Sequence, residues 1–154
     1  MNWFIDLVTN PFLIASVSSW FVAQVIKTVL YAILNKRLDI GWMVSDGGMP
    51  SGHSATVSSL AAFTALRLGF GSFSFAFTLI LAIIVCHDAM GVRRETGKQA
   101  VLLNEIIKAF EVLGSTEKLP EVKLKEFVGH TPIQVLAGIT VGVINAFLMH
   151  FLVF

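Results

Sequence analysis

The chain has 154 residues, enough for one domain, of which 55% are apolar and only 14% charged, with a mean hydropathy of +0.78. Soluble domains carry about 25% charged residues, so a deficit gathered into long apolar blocks points to a bilayer rather than a large soluble core. A net charge of +1 offers no field to attract nucleic acid, and the single Cys86 excludes an internal disulfide and leaves no zinc-type cluster.

Residues 1–10 contain Trp3, Phe4, Ile5, Leu7 and Val8 but no Lys or Arg, so they read as an interfacial segment rather than a cleavable signal. Four apolar blocks follow, each near the ~20 residues that a helix needs to cross ~30 Å of hydrocarbon. The first covers residues 12–34 and is interrupted by Gln24 and Lys27; the loop after it carries Lys36, Arg37 and Trp42. The second, 51–68, is rich in Ala, Ser and Thr, which suits close packing between helices. Gly69 and Gly71 turn the chain into the third block, 73–90. Next comes the longest hydrophilic stretch, 91–129. Within it Leu102, Leu103, Ile106, Ile107, Phe110 and Leu113 share one helical face, and Lys98, Asn104, Glu105, Lys108 and Glu111 the other, as in an amphipathic helix on a membrane face. Residues 115–127, with Pro120, read as a surface connection; the fourth block, 132–154, opens with Pro132, suited to a first helical turn. The expected architecture is all-α: a single membrane domain over residues 1–154 with about four transmembrane helices and an amphipathic helix at the cytoplasmic face.

Four crossings would put the loops 35–50 and 91–129 on one side. Lys36, Arg37, Arg93, Arg94, Lys98, Lys108, Lys118, Lys123 and Lys125 lie in them, nine of the eleven basic residues, with Arg67 opposite and Lys27 inside the first helix. The excess of Lys and Arg marks that side as cytoplasmic in a multi-pass membrane protein. Three polar clusters distant in sequence converge there: 46–54, 87–98 and 129–134.

The first cluster reads Gly47-Gly48-Met49-Pro50-Ser51-Gly52-His53-Ser54 at the start of a helix. A helix start exposes unpaired N–H groups and the positive end of the dipole, and so favours phosphate. Ser51 can donate its hydroxyl, Gly52 its N–H, and His53 a proton near neutral pH; an ordinary cap with an interfacial histidine fits the same short pattern. The second cluster is Gly129-His130-Thr131-Pro132-Ile133-Gln134, which puts Gln134 one turn beyond His130.

Together these segments resemble the type 2 phosphatidic acid phosphatase superfamily, which also holds the vanadium haloperoxidases. Pro50-Ser51-Gly52-His53 is similar to that family's second motif, and His130 to Gly138 to the end of its third. The closest likeness is to the small divergent branch, through residues 47–51, 88–94 and 129–132. The resemblance implies hydrolysis of a lipid phosphate or diphosphate monoester through a phosphohistidine, with no metal or other cofactor. His130 would be the nucleophile and His53 the proton donor to the leaving oxygen, while Ser51, Gly52 and basic side chains would hold the phosphoryl oxygens. The chain departs from the main family where Lys27 is followed by Leu34 rather than Arg, where Leu124 stands for an Arg, and where Gln134 stands for the orienting Asp.

The cluster after the third block, His87-Asp88 and then Arg93-Arg94, suits bidentate phosphate binding. Arg93 and Arg94 fit phosphate ligands or positive anchors; Asp88 fits a salt-bridge partner or an orienting group for an arginine or His130. Lys27 fits the site or a snorkelling position at the interface. The implied partners are the bilayer and a phosphorylated lipid, with self-association into a homo-oligomer left open and nucleic acid excluded. A non-catalytic scaffold that keeps the phosphate cradle is the alternative function, supported by the uncharged Gln134.

Overall fold

A computed structural model describes residues 2–44, 47–112, 124 and 129–154, without the side chains of Arg93, Glu111 and Val112. Asp46, most of the connection 115–127, and Lys118, Lys123 and Lys125 lie outside the described residues. Among the described residues the chain forms helices and no strand, in the order α1 (Trp3–Val8), α2 (Pro11–Asn35), α3 (Gly52–Leu68), α4 (Phe73–Met90), α5 (Val92–Val112) and α6 (Pro132–Leu148), which widens into a π turn over Met149–Val153. It is an all-α membrane bundle.

Local chemistry sets the ends. Asn10 caps α2, its side chain accepting from the N–H groups of Phe12 and Leu13, and Pro11 fills the first turn. Ser51 caps α3, Ser72 caps α4 and Thr131 caps α6, each side-chain oxygen accepting a backbone N–H three residues on. A short 3-10 turn, Ile40–Val44, folds back on α2, where Trp42 stacks on Tyr31 with ring centres 4.3 Å apart.

Three helical runs among the described residues, Pro11–Asn35, Phe73–Phe110 and Pro132–Val153, are long and apolar enough to cross a membrane. The expected second span is not among them. Its helix, α3, has 17 residues, about 25 Å of rise. It packs against α2, α4 and α6 together, and its small, partly polar side chains face protein, so it does not need the hydropathy of a lipid-facing helix.

The burial pattern inverts that of a soluble domain. The interior is small: Ala15, Ala23, Ala55, Ala61, Ala82, Ala89 and Ala146, with Phe63 the one large side chain among its fully buried apolar residues. The large apolar residues point outward, including Val17, Phe21, Phe77, Ile80, Ile84 and Ile144. Where lipid is the solvent, burying apolar area between helices gains little; close backbone approach and interhelical hydrogen bonds hold the bundle instead.

Both appear here. A Cβ on Gly138 would land on the carbonyl of Ser51, and one on Gly142 on the carbonyl of Ala55, so α6 lies directly on the backbone of α3. The pairing of Gly138 with Ser51 and Ser54, and of Gly142 with Ala55 and Ser59, makes the two helices parallel. The carbonyl of Ala15 in α2 accepts from Ser59 Oγ (2.9 Å) and Asn145 Nδ2 (3.0 Å), and Ser19 Oγ donates to the carbonyl of Ala55 (3.1 Å). These bonds join α2, α3 and α6 at mid-bundle.

The amphipathic stretch forms α5, with its apolar face turned outward: Leu102, Leu103, Ile106 and Phe110 are exposed while Gly97, Ala100 and Asn104 are buried. Asn104 grips the backbone of Leu124, donating to its carbonyl (3.0 Å) and accepting its N–H (3.1 Å). An apolar face turned away from the bundle suits the boundary between headgroups and acyl chains.

The glycine contact is testable. Replacing Gly142 by Val forces side-chain atoms onto the backbone of α3, an overpacking cost of about 3 kcal/mol. The expected outcome is a lower thermal midpoint in detergent, followed by circular dichroism, whereas Ile144→Val on the outer face leaves it within a degree or so. Equal midpoints for wild type and Gly142→Val would mean that the helices are not held this way.

Candidate functional site

Because α3 and α6 run parallel, both begin at the same end of the bundle. Their unpaired N–H groups and positive dipole ends lie side by side, an arrangement that favours an anion between them. One backbone bond joins the two starts: Ser51 N–H donates to the carbonyl of Gln134 (3.0 Å). The end of α4 docks on the same place, with Ala89 accepting the N–H of His130 (2.9 Å).

At α3, Ser51 is fully buried. Its Oγ accepts from the N–H of Ser54 (3.4 Å) and from the Ser54 hydroxyl (3.1 Å). With its lone pairs so engaged, the Ser51 hydroxyl has only its hydrogen left to offer, and these two donors polarise it toward an acceptor. Gly52 is buried at the first helical position and His53 is exposed at the second. Their N–H groups belong to the first turn, where α-helical geometry supplies no acceptor. The preceding segment bends through Gly48, at φ +90°, and a cis Met49–Pro50 peptide.

At α6, His130 is 3% exposed and stands immediately before the cap. Thr131 and Gln134 form a reciprocal capping box, Thr131 Oγ1 accepting the Gln134 N–H and Gln134 Oε1 accepting the Thr131 N–H (3.0 Å). The second bond decides which way the Gln134 amide points, because a backbone N–H demands an oxygen opposite it. The same Oε1 lies 3.3 Å from His130 Nδ1. An acceptor there places the imidazole proton on Nδ1, so the neutral ring carries its lone pair on Nε2. Gln134 thus stands where it can set the imidazole tautomer, without an aspartate's charge.

Lys27 is 3% exposed, and its Cγ and Cδ lie 3.3 Å from the position a Cβ on Gly48 would occupy. Its stem is therefore buried against the glycine segment rather than extended to solvent. Asp88 is half-buried at the end of α4, next to Ala89. Arg94 is exposed in the first turn of α5, and Arg93 shares that turn by its backbone. The structure brings Ser51, Gly52, His130, Gln134 and Lys27 to one end of the bundle around the two helix starts, with His53 on its exposed rim.

Sequence reading treated Gln24 only as a polar interruption and gave no role to Trp20 or Ser54. A Cβ on Gly52 would meet Trp20 Cδ1 at 3.2 Å and Gln24 Cδ at 3.8 Å, so both border the cradle from α2. The available signal was their helical spacing with Lys27, which gives one polar stripe on an apolar helix.

The Gln134 assignment predicts a ring state. In wild type the neutral His130 ring is expected to hold its proton on Nδ1, read from the ring nitrogens by heteronuclear NMR. Gln134→Leu shifts the population toward Nε2–H and, by removing the capping box, lowers stability by about 1 kcal/mol. An unchanged tautomer in the variant would sink the assignment.

Residues 8–145 match the family described as the divergent PAP2 family. The chain is 39% identical over 147 residues, covering 90% of it and 93% of the relative, to the uncharacterized membrane protein YuiD of Bacillus subtilis (strain 168). No solved structure matches it. A match over nearly the whole bundle makes this chain a multi-pass membrane protein of the divergent PAP2 family.

Proposed function

We propose that the protein is a phosphatase for a lipid phosphate or diphosphate monoester, working through a phosphohistidine at His130. The observation that carries this reading is the His130–Gln134 contact (3.3 Å), which leaves a lone pair on Nε2 of a buried imidazole beside two helix starts. A nucleophile next to fixed positive ends, rather than a solvated histidine, is what attack on an anionic phosphoryl group requires.

In the first half-reaction His130 Nε2 attacks phosphorus. The P–N bond forms, the P–O bond to the lipid breaks, and its electron pair stays on the leaving oxygen, which takes a proton from His53. Ser51 Oγ–H and the N–H groups of Gly52 and His53 hold the phosphoryl oxygens, with Lys27 adding charge. Arg93 and Arg94, in the first turn of α5, extend that positive field, and Asp88 positions either an arginine or the His130 loop. In the second half-reaction His53 takes a proton from water as the water attacks phosphorus. The P–N bond breaks, phosphate leaves, and His130 is restored.

The lipid assignment rests on surroundings. An apolar cavity of about 270 Å³ lies between α3, α4 and α6, lined by Ser58, Ala61, Ala82, Ile139 and Val143 among others. Ser58 is about one turn beyond Ser54, so a hydrocarbon chain could occupy the cavity while its phosphate stays at the helix starts. The excess of basic residues in the loops at this end supports a cytoplasmic active face.

Phosphate release from a panel of lipid phosphates in mixed micelles tests the chemistry. His130→Ala is expected to fall to background, and vanadate to inhibit wild type. His53→Ala should lose about 10²–10⁴-fold on lipid substrates, and much less on a nitrophenyl phosphate, whose leaving group needs no acid. Turnover that survives His130→Ala overturns the mechanism; no turnover in wild type, with some gained by Gln134→Asp, favours the non-catalytic scaffold.

Orientation has its own test. A cysteine placed at Lys98, in a Cys86→Ser background, should react with a membrane-impermeant maleimide only after the cells are opened. Labelling from outside intact cells would reverse the assignment.

A further inference from the structure

Ser58 stands seven residues beyond Ser51, so the two share one side of α3 and lie ~10 Å apart along it. Ser58 is 8% exposed and lines the cavity between α3, α4 and α6. Every other side chain on that wall is apolar, among them Ala61, Ala65, Ala82, Ile139 and Val143. Hydroxyls elsewhere in these helices turn back to the carbonyl one turn earlier, as those of Ser16, Thr28, Thr56, Thr78 and Thr140 do. The Ser58 hydroxyl makes no such bond, nor any other among the described residues. A buried hydroxyl without a partner is costly, so it calls for one that the protein does not supply. Water does not fit that part: in a cavity it needs about two to four polar partners, and here it would find a single hydroxyl.

Depth narrows the choice further. The bonds from Ser19 to Ala55 and from Ser59 to Ala15 align α2 antiparallel to α3. Gly52 stands level with Trp20 and Gln24, and α2 runs on to Asn35, ~16 Å past that level. With 25 residues, α2 is ~37 Å long against ~30 Å of hydrocarbon. The start of α3 therefore lies inside the hydrocarbon layer, and Ser58 lies deeper still. Bulk lipids keep their ester carbonyls at the headgroup boundary, out of reach of Ser58. A lipid drawn down until its phosphate meets the α3 start carries its ester groups toward the cavity. One layer separates the two places: Cys86, Ala89 and Val135, with Met90 and Ile139 only partly buried at its edge. A glycerol link is long enough to pass along that edge.

We propose that Ser58 is a specificity-determining residue: its hydroxyl donates to the ester carbonyl of an acyl chain seated in the cavity, so that the site takes acyl glycerol phosphates in preference to polyprenyl phosphates. The proposal rests on reading the paired helix starts as the phosphate site, and it adds the chemistry of the tail. A polyprenyl chain has no oxygen at that depth, so it fills the cavity and leaves the hydroxyl unpaired. A site built around a hydrogen bond discriminates against the analogue that lacks the acceptor.

The test compares substrates that differ in one atom. Purified full-length protein in mixed micelles is given a monoacyl glycerol phosphate, its alkyl ether of equal chain length, and a prenyl phosphate of similar length. The ether keeps the phosphate, the glycerol and the chain but has no carbonyl. Wild type is expected to show a KM about fivefold lower for the ester than for the ether or the prenyl phosphate. Ser58→Ala is expected to raise KM for the ester to that of the ether, with the change falling in KM rather than in kcat. Ser58→Thr keeps a hydroxyl and is expected to restore the preference.

A second readout separates this role from a structural one. Without ligand, Ser58→Ala should melt within a degree or so of wild type, because no bond inside the protein is lost. A clear drop would place the hydroxyl in the protein's own hydrogen bonding and overturn the proposal. Equal KM values for ester and ether in wild type, or a preference that survives in Ser58→Ala, overturn it while the phosphatase stands. No turnover of any substrate, nitrophenyl phosphate included, overturns the phosphatase reading instead. The ester and ether are then compared by the melting shift each gives the protein, and equal shifts overturn the proposal as well.

Discussion

The contact on which this structure depends is the one between Gly138 and Gly142 of α6 and the backbone of α3. Neither position has room for a single methyl group, since the carbonyls of Ser51 and Ala55 occupy the space. In a bilayer, where a leucine gains almost nothing by leaving lipid for another helix, such backbone approach is a main source of helix association. It also fixes the register. With Gly138 seated on Ser51, the carbonyl of Gln134 one turn earlier meets the Ser51 N–H, and the two helix starts come level.

Level helix starts create an electrostatic problem that shapes the rest of the site. Two positive dipole ends side by side repel, and each exposes N–H groups without acceptors. The protein answers part of this itself. Ser51 and Thr131 cap their helices, Gln134 closes a capping box, and Ala89 takes the His130 N–H. What remains uncapped, the first N–H groups of α3, marks where the proposed phosphoryl group would sit. An anion held there would offset the repulsion that the packing imposes.

The replacement of an aspartate by Gln134 looks, in sequence, like the loss of the group that orients the nucleophile. The capping box alters that judgement. Because Thr131 N–H holds Oε1 in place, the neutral amide presents an acceptor to His130 Nδ1 as a carboxylate would, with a weaker bond. It gives up the charge that would stabilise a protonated ring. The Lys27 stem is buried against Gly48, in a chain that lacks the Arg of the main family's first motif.

The sequence by itself determined the local parts. Apolar blocks of helical length, small residues in the second block, and caps written as Ser, Thr, Asn and Pro specified an all-α membrane bundle and pointed to Ser51, Gly52, His53, His130 and Gln134. These are properties of neighbouring residues, and helical periodicity and capping chemistry read them directly. The second block is less apolar than the other three because α3 is an interior helix shielded by its neighbours, where packing rather than hydropathy sets the composition. The sequence could not find Gln24 or the Gln134–Thr131 bond's effect on His130. Which face of α2 meets Gly52 depends on the rotation of each helix about its own axis, and only the seating of the α6 glycines on α3, with the Ala15 carbonyl joining α2 to both, set that rotation.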